Sequence, residues 1–241
     1  AAFALVFAVL ALGAAAGMRT EWTGSMDPVV GDRTGLQPIL RDQTARRLLL
    51  IGLVNAAPVA ISSTLFLFFV ESRLLAPDAE GPLLLLFFLS AAAAAPVWGK
   101  LAERFGPKPC LIAGMVLALI AFGFALTLGA GDTVLFAVIC VASGATLGAD
   151  MTLLPALFAR RMAELSPLAT EGFGLWSFAT KFTLAFAAVA LLPLLELSGF
   201  AAGPENDPPA LAMLTLLYAG VPCALKLLAI LLVATTKLEE A

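Results

Sequence analysis

The sequence contains no histidine, only three cysteines and few charged residues. Without histidine, neither a Ser–His or Cys–His catalytic pair nor a histidine-ligated metal site can form. Cys110, Cys140 and Cys223 lie far apart in apolar segments, which argues against a zinc site and against a disulfide framework. The 14 Lys and Arg residues do not outnumber the 17 Asp and Glu residues, so there is no surplus of positive charge for nucleic-acid phosphates. We therefore expect no enzymatic activity, no metal or organic cofactor and no nucleic-acid partner.

Apolar residues, in contrast, are abundant. Hydrophobic residues make up 61% of the 241 positions and charged residues only 13%, whereas ordinary soluble domains contain about 45–50% and about 25%. A soluble fold cannot bury this much apolar surface, so the lipid bilayer must be the main solvent. The composition predicts an all-α polytopic membrane protein.

Several apolar segments are long enough to cross a bilayer, which takes about 20 mostly apolar residues in a helix. Seven segments qualify: 1–18, 47–70, 82–99, 109–130, 133–158, 172–197 and 209–236.

The only long break between these segments is polar, and its Gly, Pro, Asp and Arg content is typical of a linker. The sequence thus predicts a transmembrane helix at 1–18, a linker at 19–46, a six-helix bundle at 47–236 and a tail at 237–241. The chain begins with Ala inside an apolar run and lacks the charged start and the cleavage site of a signal peptide. We interpret this start as a truncation within a transmembrane helix.

The basic residues predict an orientation. Eleven of the 14 Lys and Arg residues fall in alternate loops or in the tail, whereas the opposite side carries only Arg73. Because loops rich in Lys and Arg stay in the cytoplasm, we expect the linker and the C-terminus to be cytoplasmic. The bilayer is expected to be a bacterial-type inner membrane.

Polar side chains inside the predicted spans form a possible layer. Asn55, Asp150, Lys181 and Lys226 lie about eight to ten residues from the cytoplasmic ends of their spans, a depth of roughly 12–15 Å. This is near the midplane of a core about 30 Å thick, where charged side chains normally face a cavity or a partner. Two alternatives remain open: Asp150 belongs to a structural ion pair, and Lys226 pairs with Glu196 or extends to the interface.

Small residues predict close helix packing. Gly144 and Gly148 form a small-xxx-small pair that allows another helix to approach. The alanine run 91–95 has the same property.

The segment between the third and fourth spans has a recognisable pattern, Gly-x-x-x-Glu-Arg-x-Gly-x-Lys. It is formed by Gly99, Glu103, Arg104, Gly106 and Lys108, and it is similar to the cytoplasmic gating signature of the major facilitator superfamily. In such a loop the glycine allows a tight turn, and charged side chains link neighbouring helix ends. The alternative is an ordinary basic cytoplasmic loop.

A second pattern, Glu171-Gly-Phe-Gly-Leu-Trp176-Ser177-Phe-Ala-Thr-Lys181, resembles the eleventh helix of the glycoside–pentoside–hexuronide:cation symporters, the melibiose-carrier-like branch of that superfamily. Asp150, ahead of Pro155, is similar to an Asp in the tenth helix of that family. The basic stretch 159–167 departs from the acidic, tyrosine-containing loop that the family often has.

The resemblance implies the C-terminal half of a 12-helix transporter, with 1–18 as its sixth helix and a missing N-terminal six-helix half as its partner. It implies cation-coupled symport of a sugar or related small solute by alternating access. Lys181 and Ser177, with Asp150 and Asn55, would form one wall of the substrate site. The coupling Na⁺ or H⁺ would be bound mainly by the missing half. Neither the solute nor the choice of cation follows from the sequence.

A different class of protein also has seven helices. A receptor or a retinal-type membrane protein would use Lys226 of the seventh span as the Schiff-base lysine. That alternative leaves the long linker and the Glu103–Lys108 pattern without an explanation.

Overall fold

The computed structural model describes residues 36–165 and 170–236. The predicted helix at 1–18, most of the predicted linker and the tail at 237–241 lie outside the described residues. All the regular structure that is described is helical. Its α-helices are α1 (Gln37–Arg41), α2 (Gln43–Phe68), α3 (Glu80–Phe105), α4 (Pro107–Ala125), α5 (Thr133–Leu165), α6 (Thr170–Leu197), α7 (Pro208–Thr215) and α8 (Val221–Thr235).

Two of these helices are extended by π-helical turns. The turn Phe69–Arg73 continues α2, and the turn Leu216–Gly220 joins α7 to α8 into one continuous span. A short 3₁₀ turn, Pro77–Ala79, leads into α3.

Within residues 36–165 and 170–236, six helical segments are long and apolar enough to cross a membrane: Gln43–Arg73, Pro77–Phe105, Pro107–Ala125, Thr133–Leu165, Glu171–Leu197 and Pro208–Thr235. Each overlaps one of the segments predicted from the sequence. The expected all-α membrane fold with a six-helix bundle is therefore confirmed.

The helices do not begin and end where the predicted apolar spans do, because charged residues do not end a helix. Helix α5 continues to Leu165 instead of ending at 158, and Arg161 and Glu164 form an i,i+3 ion pair on its extension. The end of the predicted linker is also helical, since it contains α1 and the first turn of α2. In the other direction, α4 ends at Ala125 and not at 130.

Helix α2 is central in the packing. It contacts α5, α6 and α8, while α5 also packs against α3 and α4, and α8 against α4. Helix α6 contacts the bundle mainly through α2, and it buries one face that includes Thr183, Ala187, Leu191 and Leu195. Much of the rest of α6 is exposed.

Small residues bring α3 and α5 together as expected. A Cβ atom on Gly148 would lie 2.7 Å from the backbone oxygen of Ala91, and one on Gly144 would collide with the backbone oxygen of Phe87. Trp98 Nε1 also donates a hydrogen bond of 2.8 Å to Ala145 O across the same interface. Larger side chains at either glycine would force the helices apart.

In the part of the chain that the structure describes, the apolar interior consists of two clusters. One contains Phe69, Phe136 and Tyr218, and the other contains Met115 and Phe158. Along α2, the cluster that contains Met115 ends at residue 54 and the cluster that contains Phe69 begins at residue 60. In the last span, the Phe69 cluster ends at residue 219 and the Met115 cluster begins at residue 229. Buried polar side chains occupy this junction.

Candidate functional site

The junction between the two clusters holds three polar side chains, which we call the polar trio: Asn55 of α2, Asp150 of α5 and Lys226 of α8. Their exposed fractions are 4%, 8% and 5%. Lys226 Nζ donates hydrogen bonds to Asn55 Oδ1 at 2.7 Å and to Asp150 Oδ2 at 2.5 Å. One ammonium group therefore connects three helices of the bundle.

Local helix geometry positions the trio. The close approach at Gly148 holds the adjoining part of α5 against α3. In the last span, the N–H of Val221 bonds to Leu216 O, so the π-helical turn shifts the register of α8 relative to α7. Pro222 is the second residue of α8 and lies in its first turn, where a missing N–H is tolerated. Lys226 follows one turn later and is buried.

The charges of the trio balance. Asp150 and Lys226 form an ion pair with almost no exposure to solvent, and removing one partner of such a pair costs about 3–5 kcal/mol because the other charge stays buried. Hydrogen bonding is incomplete, however. Asp150 Oδ1 is buried and has no hydrogen-bond partner among the described residues, and such an unsatisfied acceptor costs about 1–3 kcal/mol.

A cavity of about 260 Å³ adjoins the ion pair. Its walls come from α2, α3, α4, α5 and the last span, and Asp150 and Lys226 are its charged lining residues. Apolar and aromatic side chains form most of the wall, and several hydroxyl groups are interspersed: Ser62, Ser63, Ser143, Thr146 and Tyr218. Mostly apolar walls with a few polar groups are typical of small-molecule sites.

Three of these hydroxyl groups donate their protons to their own helix. Ser62 bonds to the carbonyl of Pro58, Ser143 to that of Ile139 at 2.6 Å, and Thr146 to that of Ser143 at 2.8 Å. A hydroxyl group whose proton is used in this way can only accept a further hydrogen bond. Toward a ligand, these three groups are acceptors.

The structure does not bring Ser177 and Lys181 to the trio. Both side chains are exposed on α6, and among the described residues α6 contributes nothing to the cavity wall. Lys181 and Asp150 therefore do not line the same cavity within the described bundle, and the shared substrate site stays a prediction. Counting residues from the end of the helix gives the depth of Lys181 but not the direction of its side chain. Helix α6 packs on α2, and its buried face contains Thr183 and Ala187. Lys181 lies on the exposed side.

Lys226 does not pair with Glu196, which was one of the alternatives, because its ion-pair partner is Asp150. The alternative in which Asp150 belongs to an ion pair agrees with this contact. The sequence signal that could have identified the pair is the opposite charge of two side chains at similar depth. Asn55 does not line the cavity, and its oxygen is occupied by Lys226.

The gating pattern lies around the turn between α3 and α4. Gly106 has a φ of 88°, a left-handed backbone conformation that favours glycine. Glu103 and Arg104 are exposed at the end of α3, and a Cβ on Gly99 would meet nothing within 4 Å. Lys108 donates hydrogen bonds of 3.2 and 2.9 Å to the carbonyls of residues 234 and 236.

The end of the last span thus receives cationic donors. Arg47 of α2 donates to Thr235 O at 3.0 Å, beside the bonds from Lys108. Cations at a helix C-terminus satisfy its last carbonyls and interact favourably with the helix dipole. These bonds connect the ends of α2, α4 and α8.

A further contact at this end was not predicted from the sequence. Asp42 caps α2 by accepting from Ala45 N at 2.7 Å, and Arg161 of α5 donates to its carboxylate at 2.5 and 3.1 Å. The hydrogen bond from Arg161 is the largest cause that lowers the pKa of Asp42 below its ordinary value of 3.8. An Asp directly before a helical segment is an N-cap signal, but nothing in the sequence shows which cation reaches it.

Comparison with known proteins adds one finding. A family model described as MFS/sugar transport protein matches residues 1–240. A comparison with curated proteins gives no match.

Proposed function

The chain belongs to the MFS/sugar transport protein family, and on this basis we propose that it moves a sugar or a related small solute by cation-coupled symport and alternating access. Membership of the family makes it a membrane transporter of the major facilitator type. The pattern from Glu171 to Lys181 is the reason for assigning it to the glycoside–pentoside–hexuronide:cation branch.

The observation that supports this proposal best is the cavity inside the bundle. It adjoins a buried ion pair at the junction of the two apolar clusters, and helices from both ends of the chain contribute to its wall. Transporters bind their substrates near the bilayer midplane, between helices that rearrange during the cycle. Asp150 would bind the solute directly, and Asn55 would act through Lys226.

Ser177 and Lys181 have a separate place in this proposal. Both lie on the exposed side of α6, and an exposed ammonium deep in a membrane span is costly unless it faces water or a partner. We assign this side of α6 to the surface that faces the N-terminal six-helix half. The solute would then be held between Lys181 and the cavity of this bundle. The coupling Na⁺ or H⁺ would bind mainly to carboxylates of the other half, and these carboxylates would also balance the charge of Lys181.

The proposal includes an orientation. The hydrogen bonds from Lys108 and Arg47 to the last span, and the pair of Asp42 with Arg161, would lie on the cytoplasmic side, as would the C-terminus. The membrane would be a bacterial-type inner membrane.

Uptake into proteoliposomes that contain the complete protein tests the function. We expect a labelled neutral sugar to accumulate when an inward Na⁺ or H⁺ gradient is imposed, and we expect an ionophore for that cation to abolish the accumulation. Lys181→Ala should abolish uptake while leaving membrane insertion unchanged. Lys100→Ala removes an exposed cation at the end of α3 and should transport normally.

Two results would contradict the proposal. Normal uptake by Lys181→Ala would reject the assignment of that lysine, and accumulation that is indifferent to both gradients would reject symport.

A further inference from the structure

We propose that the Asp150–Lys226 pair acts as a charge filter, which makes the cavity selective for uncharged, hydroxyl-bearing solutes over their acidic and cationic counterparts. This inference rests on the proposed function and specifies its substrate class. Lys226 is then a specificity-determining residue.

The charged side chains of the cavity wall balance each other. The two charged side chains that line the cavity neutralise each other and are both more than nine-tenths buried. An uncharged solute leaves this balance intact, whereas a carboxylate or an ammonium group would add a net charge to a poorly solvated site, which is costly. A filter of this kind needs no contact specific for one sugar.

The hydroxyl groups of the cavity wall favour a solute that can donate hydrogen bonds. Ser62, Ser143 and Thr146 line the cavity and donate their protons to carbonyls of their own helices, so toward a solute they are acceptors. The Lys226 ammonium has three N–H donors, of which two are bonded to Asn55 and Asp150. A solute hydroxyl can donate to the serine and threonine oxygens and can accept from the remaining N–H. A carboxylate can only accept, so it cannot satisfy these acceptors.

Aromatic walls could favour a cation instead. Phe66, Phe122, Phe136 and Tyr218 line the cavity, and aromatic faces attract ammonium groups. The Lys226 ammonium opposes this attraction because it also lines the cavity. A second cation in the cavity would be close to this ammonium group at low effective dielectric, where like charges repel strongly. The apolar faces of a neutral sugar ring can pack on the aromatic side chains without this repulsion.

Uptake of matched solutes tests the filter. The complete protein in proteoliposomes is offered galactose, galacturonate and galactosamine, and the three corresponding gluco compounds, at near-neutral pH. We expect the wild type to prefer a neutral sugar over its charged derivatives by about tenfold or more, which corresponds to ~1.4 kcal/mol. Asp150→Asn leaves a net positive charge and should shift the preference toward the acids. Lys226→Gln leaves a net negative charge and should shift it toward the amino sugars.

The double variant Asp150→Asn/Lys226→Gln is the matched control. Its cavity is neutral, so it should again prefer uncharged sugars. If a single variant does not insert into the membrane, the preference of the double variant still tests the filter. Glu196→Gln removes an exposed charge that does not line the cavity, and it should keep the wild-type preference.

Three results would overturn the filter. They are a wild type that prefers charged solutes, single variants whose preference is unchanged, and a double variant that selects charged solutes. Uptake of none of the six solutes by the wild type would overturn the proposed function itself.

Discussion

A lysine in the middle of a membrane-spanning helix is tolerated when other groups compensate its charge. Lys226 meets this condition through a carboxylate from α5 and an amide oxygen from α2. The number of residues between a polar side chain and the end of its span indicated the depth of the trio correctly, because helix rise is constant. Counting does not give the direction of a side chain around the helix, which depends on tertiary packing. For this reason the count could not show that Lys181 is exposed on α6 and not in contact with the trio.

The ion pair leads to a prediction about stability. Lys226→Met should lower the free energy of unfolding by about 3–5 kcal/mol, because it leaves the Asp150 carboxylate buried without its cation. Adding Asp150→Asn should recover most of this loss, since the buried charge is then absent as well. Thermal unfolding of the detergent-solubilised protein, measured as a double-mutant cycle, provides the test.

Additive effects, in which the double variant loses the sum of the stabilities lost by the two single variants, would show that the two side chains do not interact. Glu196→Gln serves as the control for removal of an exposed charge, and it should change stability little.

At the scale of elements, apolar segment length predicted the spans well because the bilayer requires a minimum length of apolar helix. Helix ends were harder to predict, since they depend on caps and on charged pairs outside the bilayer. Arg161 and Glu164 extend α5 beyond its apolar part, and Asp42 sets the start of α2. The Gly144–Gly148 pair did predict a close approach, because only small residues allow backbones to come so near. It could not predict that α3 is the partner.

The link between Asp42 and Arg161 predicts a pH dependence. The pKa of Asp42 in the folded state lies below 3.8, so its ion pair contributes its full stabilisation above that pH and loses it as the pH falls through the folded pKa. Asp42→Asn keeps an N-cap side chain but removes the charge, and it should cost about 1.5–3 kcal/mol at neutral pH. The difference in unfolding free energy between wild type and variant should shrink as the pH drops below 3.8. Unfolding measured across this pH range checks both expectations.

Asp42→Ala is the companion variant, since it removes the cap together with the charge. It should cost about 1 kcal/mol more than Asp42→Asn, and this extra cost should persist at low pH. A gap between wild type and Asp42→Asn that stays constant from neutral pH to acid would contradict the role of the carboxylate charge.

At the scale of the whole molecule, the six spans form a bundle with a cavity between them and with a buried ion pair beside that cavity. The composition and the segment pattern were sufficient for the fold class, because lipid as the solvent permits few alternatives. The motifs pointed to the family, which the match over residues 1–240 establishes. The cavity could not be predicted, because it arises from the mutual packing of α2, α3, α4, α5 and the last span.

Solute protection of Cys223 tests most directly whether this cavity is the binding site. Cys223 lines the cavity and is partly accessible. In the complete protein, with every other cysteine replaced, we predict that a transported neutral sugar slows alkylation of Cys223 by N-ethylmaleimide and that its uronic acid does so much less. A single cysteine at Val134, which is 79% exposed and outside the cavity, should react at the same rate with and without the sugar. Alkylation of Cys223 at an unchanged rate in the presence of saturating transported sugar would contradict the account.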